Sequence, residues 1–154
     1  MANLFNKDFQ DFIQSLNLYK VEYILVGGYA VILHGYIRST GDMDIWINKT
    51  SENYYKLKEA LNKFGAPMFS ENEFLGRKFN VWGFGKEPNR IEIMSEVKGL
   101  QFDKVYAKSK TYQQEDFGIR FIHLKDLLKA KKAAGRFKDK NDIEQLMKKN
   151  HPRL

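Results

Sequence analysis

The first third of the chain switches between helical and extended patterns of apolar residues. Apolar side chains recur at steps of three and four, as on one face of an amphipathic helix, at Phe5, Phe9, Phe12, Ile13 and Leu16. The run from Val21 to Val26 is then mostly apolar and predicts a short strand. This strand stops at Gly27-Gly28, and the small and apolar residues from Tyr29 to His34 predict a short helix that ends at Gly35.

A second strand and a longer helix follow. Residues Asp42 to Ile47 first alternate between polar and apolar and then become continuously apolar, which predicts a strand whose first residues point away from the core. Thr50 or Ser51 can cap the next helix, and Gly65 closes it. The predicted buried face of this helix consists of Tyr54, Leu57, Ala60, Leu61 and Phe64.

The second half of the chain predicts three more strands and two helices. The predicted strands are 78–84, 90–94 and 117–122, and the predicted helices are 124–134 and 139–149. Turn-forming residues at 85–89 join the first two of these strands as a hairpin, and Gly135 separates the two helices.

The order of these elements predicts an α/β (α+β) fold with a mixed sheet of about five strands flanked by helices, because strands and helices do not alternate regularly. Since no repeat, linker or shift in composition divides the sequence, residues 1–154 are interpreted as a single domain. Its C-terminal segment at about 124–150 is predicted to be helical.

Composition and charge narrow the class of protein. The chain has no cysteine, which excludes disulfides, thiolate metal sites and cysteine nucleophiles. The net charge is +7, with the excess between Lys125 and Lys149, which is typical either of a solvated basic helix face or of a surface for phosphates or nucleic acid. Because no targeting signal or membrane-spanning run is found, we expect a cytoplasmic protein without a membrane partner.

The pair Gly27-Gly28 is the first candidate for chemistry. It lies directly between a predicted strand and a predicted helix. Glycine allows a sharp turn and a close approach of a ligand to the backbone, and the first N–H groups of a helix attract phosphate. The same pair is also explained by a tight strand-to-helix turn without a ligand.

The second and third candidates are carboxylates on predicted strands. Asp42 and Asp44 are two residues apart, so both side chains point to the same side of their strand and repel each other unless a cation lies between them. Carboxylate oxygens suit Mg²⁺. Glu92 interrupts an apolar strand and faces away from Ile91 and Ile93; it is either an ordinary outward-facing residue or the third carboxylate of a two-metal site.

Together these residues resemble the nucleotidyltransferase superfamily of the DNA polymerase β type. Its pattern is an apolar residue with Gly-Gly or Gly-Ser, a gap, Asp-x-Asp/Glu, and a third acid on a later strand. In this chain, the three parts of the pattern correspond to segments 26–28, 42–45 and 91–93. Glu92 occupies the position where relatives often have Asp. The resemblance implies the nucleotidyltransferase fold, with the triphosphate of an NTP at Gly27 and Gly28. It also implies Mg²⁺ or Mn²⁺ at Asp42 and Asp44, and Glu92 as a metal ligand or general base.

The sequence is more narrowly similar to small bacterial and archaeal stand-alone nucleotidyltransferases of the abortive-infection and toxin–antitoxin type. The segments that carry this similarity are 28–30, 34–35, 38–40 and the basic run 131–139 with Asp142. The resemblance implies that Arg38, Thr40 and Lys131 also bind the nucleotide and that the helices at about 124–150 close the site. Arg38 could instead form an ion pair with Asp42 or Asp44, Thr40 could only shape its loop, and Lys131 could belong to a solvated helix face.

Two classes of function remain open. The first is metal-dependent transfer of NMP from an NTP to an acceptor hydroxyl on a protein, an RNA end or a small molecule. The second is an antitoxin-like or regulatory nucleotide-binding or interaction protein without transfer activity. The basic C-terminal segment favours a polyanionic or acidic partner over an amine-rich acceptor such as an aminoglycoside.

Overall fold

The structure, a computed structural model, describes residues 4–77 and 79–150. The strands in these parts of the chain are β1 (Tyr23–Val26), β2 (Asp42–Ile47), β3 (Val81–Phe84), β4 (Arg90–Met94), β5 (Lys110–Gln114) and β6 (Phe117–Phe121). The helices are α1 (Lys7–Leu18), α2 (Gly27–Leu33), α3 (Ser51–Phe64), α4 (Glu71–Leu75), α5 (Phe102–Lys108), α6 (Leu124–Ala134) and α7 (Phe137–Asn150).

The strands form one mixed sheet in the order β3-β4-β2-β1-β6-β5. Strand β2 is antiparallel to β1 and parallel to β4, and β1 is parallel to β6. The two outer pairs, β3 with β4 and β5 with β6, are antiparallel hairpins. The predicted mixed sheet and the predicted hairpin around residues 85–89 are therefore confirmed.

Helices cover both faces of the sheet, and the period-two alternation of each strand divides its side chains between them. On one face, Met43 and Ile45 belong to a buried cluster with apolar residues of α1 and α3. On the other face, Trp46 packs in a second cluster with residues of α2, α5, α6 and α7. Asp42 and Asp44 lie on this second face, because they alternate with Met43 and Ile45.

Local capping explains where the central helix begins and ends. Thr50 accepts a hydrogen bond from the backbone N–H of Asn53 and is the N-cap of α3. At the other end, Gly65 has a φ of 100°, the left-handed conformation that glycine adopts with little strain. The predicted capping of this helix is confirmed, with Thr50 as the residue that caps it.

The predicted elements differ from the structure in three details. The sheet has six strands in the described residues, where about five were predicted, and the additional strand is β5. The sequence of β5, Lys-Thr-Tyr-Gln-Gln, is polar and lies at an exposed edge, so it shows no strand pattern. The short helices α4 and α5 were also missed. Strand β3 begins at Val81 rather than at 78, and Lys78 lies outside the described residues. Within the described parts of the chain, every helix is too short or too polar to cross a lipid bilayer.

Candidate active site

Three carboxylates meet on the helix-covered face that carries Trp46. Asp42 and Asp44 project from β2, and the parallel register with β4 places Asp44 directly beside Glu92. One oxygen from each of the three carboxylates lies within 4.8 Å of the others. The tertiary structure therefore joins two residues separated by one position in sequence to a third that lies nearly fifty positions later.

The close approach of these groups disfavours negative charge on Asp44. Burial, and after it the nearby carboxylates of Glu92 and Asp42, together raise the pKa of Asp44 to about 7, although the charge of Lys131 acts in the opposite direction. Asp42 Oδ1 is buried without a hydrogen-bond partner among the described residues. Glu92 has a partial counter-charge, since Arg90 Nε lies 3.3 Å from its Oε1. Without a cation, the three carboxylates are incompletely neutralised.

The raised pKa of Asp44 predicts a pH-dependent loss of stability. Its folded pKa of about 7 exceeds the ordinary 3.8, so Asp44 favours folding at pH values below about 4, and this contribution is lost as the pH rises through about 7. Asn does not titrate, so Asp44→Asn should gain stability relative to wild type between pH 5 and 8, by roughly 1–3 kcal/mol. Urea unfolding of both proteins at pH 5 and at pH 8, in the presence of a metal chelator, measures this difference. A stability difference that is the same at pH 5 and at pH 8 would contradict the prediction.

The two glycines bring the backbone of α2 against the acidic residues. Gly27 has a φ of 70°, and a Cβ on it would collide with the carboxylate of Asp44. A Cβ on Gly28 would collide with Oγ1 of Thr40, whose loop crosses the start of α2. Any side chain at either position would displace a neighbour that lines the same cavity, so the two glycines keep this cavity open.

All eight residues predicted to bind nucleotide or metal line one cavity of about 510 Å³. They are Gly27, Gly28, Arg38, Thr40, Asp42, Asp44, Glu92 and Lys131. Arg136 and Lys138 line it as well, so the cavity has a carboxylate wall from the sheet and a cationic wall completed by the C-terminal helices. The individual roles of these residues stay predictions.

Buried ion pairs hold the cationic wall in place. Lys131 Nζ lies 3.0 Å from Asp142 Oδ2 and 3.3 Å from Asp139 Oδ1, and all three side chains are almost fully buried. Arg38 makes two hydrogen bonds of 2.9 Å to the carboxylate of Asp142. The alternative that Arg38 pairs with Asp42 or Asp44 is therefore wrong: its partner comes from α7. Arg136 binds Asp139 through Nε at 2.7 Å.

The pKa values of the two aspartates on α7 show how strongly these cations bind them. Burial by itself would raise the pKa of Asp139, but hydrogen bonds from Arg136 and the charge of Lys131 hold it at about 2. Burial likewise opposes ionisation of Asp142, yet Arg38 and Lys131 lower its pKa below the ordinary value. Both carboxylates are thus ionised at neutral pH and fix the positions of Arg38, Lys131 and Arg136.

Sequence reasoning missed several residues around the cavity. Arg90 contacts Glu92 and could have been found from the two-residue spacing that puts both on one face of a strand. Glu87 lies against Gly41 in the cavity, and no pattern in the sequence marks it. His34, by contrast, does not line this cavity: its Nε2 lies 2.7 Å from the carbonyl oxygen of Ile122, as expected for a packed histidine.

Comparison with known proteins supports the resemblance seen in the sequence. The sequence profile of the family described as "Nucleotidyltransferase of unknown function (DUF6036)" matches residues 6–149. Comparison with curated proteins gives no match. The chain is similar in structure to the lincomycin-bound lincosamide antibiotic adenylyltransferase LnuA, with a TM-score of 0.55 and 20% identity over 94% of this chain and 98% of that one. This likeness confirms the predicted mixed α/β fold.

Proposed function

The chain belongs to the nucleotidyltransferase family DUF6036, and we propose that it transfers a nucleoside monophosphate from an NTP to an acceptor hydroxyl. In this reaction the acceptor oxygen bonds to the α-phosphorus, the bond from that phosphorus to the bridging oxygen breaks, and pyrophosphate leaves. The observation that carries the proposal is the carboxylate cluster of β2 and β4, which faces cations oriented by the buried Asp139 and Asp142 across one cavity.

The carboxylate cluster fits a divalent metal ion. Asp42, Asp44 and Glu92 offer hard oxygen ligands, and the unpartnered, buried Oδ1 of Asp42 is an atom that a cation would satisfy. We assign these three residues as the ligands of Mg²⁺ or Mn²⁺. When bound, the metal supplies positive charge to the phosphates and to the leaving pyrophosphate.

The glycines beside the carboxylates and the cations on the opposite wall suit the triphosphate. Because Gly27 and Gly28 have no side chain, their backbone is uncovered beside the cavity. Thr40 adds a hydroxyl group next to them. Lys131 and Arg38 are held there by Asp142, so they are oriented before a ligand arrives. A charged group that is fixed in advance needs little reorganisation during the reaction, which is how such sites accelerate phosphoryl transfer.

Glu92 is the carboxylate best placed to accept the proton of the acceptor hydroxyl. It lies on β4, on the side of the cluster that is farther from the glycines of α2, because β4 is separated from β1 by β2. Arg90 Nε, 3.3 Å from its Oε1, holds the side chain in place. We therefore assign Glu92 two roles, as a metal ligand and as a general base on the acceptor side of the cluster.

A thermal-shift titration with ATP, GTP, CTP and UTP, with and without Mg²⁺, tests the proposal. A ligand at about a hundred times its Kd stabilises the native state by roughly 2.7 kcal/mol, which raises Tm by about 5–10 °C in a chain of this size. We expect this shift to need Mg²⁺ and to disappear in Asp42→Asn, whose changed side chain is a poorer metal ligand.

The matched control is Asp116→Asn, the same substitution in the exposed turn between β5 and β6, which should keep the full shift. No shift with any of the four nucleotides would contradict the proposed site. A Mg²⁺-dependent shift without any pyrophosphate release would instead indicate the regulatory nucleotide-binding alternative.

A further inference from the structure

The loop between β3 and β4 places a further carboxylate in the cavity of the acidic cluster. Residues 85–89 form this loop, and Glu87 at its centre lines the same cavity as Asp42. Because β2 and β4 pair Asp42 with Arg90, the loop ends beside the start of β2. A Cβ on Gly41, the residue just before β2, would collide with the carboxylate of Glu87. Glu87 therefore reaches the cavity from the β4 side of the cluster.

Hydrogen bonds to the beginning of α1 hold this loop in place. The side-chain amide of Asn6 donates to the carbonyl oxygen of Pro88 at 3.3 Å and to Oδ1 of Asn89 at 2.9 Å. The side-chain amide of Asn89 donates in turn to Oδ2 of Asp8 at 2.9 Å. Inside the loop, the backbone N–H of Asn89 donates to the carbonyl oxygen of Lys86 at 2.7 Å. These contacts fix the backbone that presents the carboxylate to the cavity.

The carboxylate of Glu87 has no partner of its own. Within the described part of the chain, its side chain forms neither a hydrogen bond nor an ion pair. The metal-binding cluster of Asp42, Asp44 and Glu92 does not include it. Glu92 is also held by Arg90, whereas Glu87 faces the cavity without a counter-charge. Glu87 is therefore a negative charge in the cavity that the proposed binding of metal and nucleotide does not use.

The cations of the cavity group with the glycines rather than with Glu87. Nη1 of Arg38 lies 3.4 Å from the place that a Cβ on Gly28 would occupy. The buried carboxylate of Asp142 joins Arg38 to Lys131. These cations thus lie where the triphosphate is proposed to bind, and β2 and β4 separate the glycine turn from the loop of Glu87. The basic C-terminal segment, which suggested an anionic partner in the sequence, therefore does not set the charge on the acceptor side.

We propose that Glu87 binds a protonated amine that the acceptor carries close to its reacting hydroxyl. The inference rests on the proposed function. The acceptor oxygen bonds to the α-phosphorus, its proton passes to the Glu92 carboxylate and pyrophosphate leaves, while the amine keeps its proton and forms no covalent bond. An ammonium group gives Glu87 a charge-assisted hydrogen bond, whereas the phosphates of an RNA acceptor would meet like charge. The acceptor is thus of the amino-alcohol class rather than a nucleic acid.

Chemical blocking of amines and substitution of Glu87 test this contact together. An acetylating reagent, N-hydroxysuccinimidyl acetate, removes the charge of the amines in a cell extract, and hydroxylamine then frees any acetylated hydroxyls. The rate of label transfer from α-labelled ATP with Mg²⁺ is measured into untreated and acetylated extract. We expect acetylation and Glu87→Gln each to lower transfer by about 10–100-fold. Both changes together should lower it no further than either one, because they remove the same interaction.

Gly41→Ala removes the contact in a second way without changing the charge of the chain. Gly41 does not have a positive φ, so alanine fits its backbone, and the added methyl group displaces the flexible side chain of Glu87. Gly41→Ala should therefore lower transfer as Glu87→Gln does. Both variants should keep the Mg²⁺-dependent thermal shift with nucleotide, because Glu87 lies outside the metal-binding cluster. The matched control is Glu59→Gln, at an exposed position of α3, which should transfer label at the wild-type rate.

The outcomes separate this inference from the proposed function. Transfer that is unchanged by acetylation or by Glu87→Gln overturns the inference and leaves the proposed function intact, and label found in RNA does the same. Losses that multiply when the two changes are combined also overturn it, because Glu87 and the amine would then act independently. Loss of the nucleotide-dependent thermal shift in Glu87→Gln would place Glu87 in the nucleotide site instead. If wild type transfers no label into untreated extract, the proposed function itself fails and the inference fails with it.

Discussion

Replacing Asp44 by Asn will lower the rate of nucleotide transfer by roughly 10²–10³-fold or more while the chain stays folded. Asp44 lies beside Glu92 in the sheet and contributes one of the three clustered carboxylates. The neutral amide of Asn is a poor ligand for Mg²⁺, so the charge that the reaction needs would no longer be held in the cavity. The measurement is the rate of label transfer from α-labelled ATP into a cell extract.

The matched control for this variant is again Asp116→Asn, which is expected to transfer label at the wild-type rate. Urea unfolding at pH 8 separates loss of function from loss of folding, because Asp44→Asn should be more stable than metal-free wild type at that pH. An Asp44→Asn protein that transfers nucleotide normally would show that Asp44 does not hold the metal. A variant that gains stability and loses activity is the usual result when an electrostatically unfavourable charge is removed from an active site.

Replacing Asp142 by Ala is expected to destabilise the protein by about 3–5 kcal/mol. Asp142 is 1% exposed and binds both Arg38 and Lys131, so its removal leaves two cations near the site without their shared carboxylate. Lys131 is itself buried and, among the described residues, would retain only Asp139 as an ion-pair partner. Urea unfolding at pH 7 measures the loss directly.

The control for this second prediction is Glu144→Ala on the same helix. Glu144 is 63% exposed and pairs with Lys148 one helical turn later, so its removal should change the free energy of unfolding by roughly 0.5 kcal/mol or less. Equal losses from the two substitutions would mean that the buried network contributes no more than a surface ion pair. Loss of nucleotide binding in Asp142→Ala at a temperature where it is folded would further support its role in placing Arg38 and Lys131.

Local patterns allowed much of the sheet to be predicted. The alternation in β2 separates Met43 and Ile45, which pack in the core, from Asp42 and Asp44, which face the cavity. This pattern is local because the side-chain period of a strand depends on the backbone alone. Strand β5 lacks such a pattern: it lies at the sheet edge and most of its residues are exposed, so burial imposes no alternation that the sequence could reveal.

The partners of the charged residues could not be predicted from local patterns. Arg38 lies four positions before Asp42, which suggested a pairing between neighbours in sequence. The structure pairs it instead with Asp142, 104 positions away. Which oppositely charged groups meet depends on how the closing helices pack on the sheet, and several partners would satisfy the same local sequence.

The sequence by itself determined the strand that carries Asp42 and Asp44, the glycine turn before α2, and the helical nature of the C-terminal segment, because each depends on the conformation of a short stretch of backbone. Only the tertiary structure decided that Glu92 completes the cluster, through the parallel register of β2 and β4, and that Asp139 and Asp142 orient the cations opposite it. Those relations require contacts between distant segments, and such contacts form when the apolar faces of the sheet and helices are buried together.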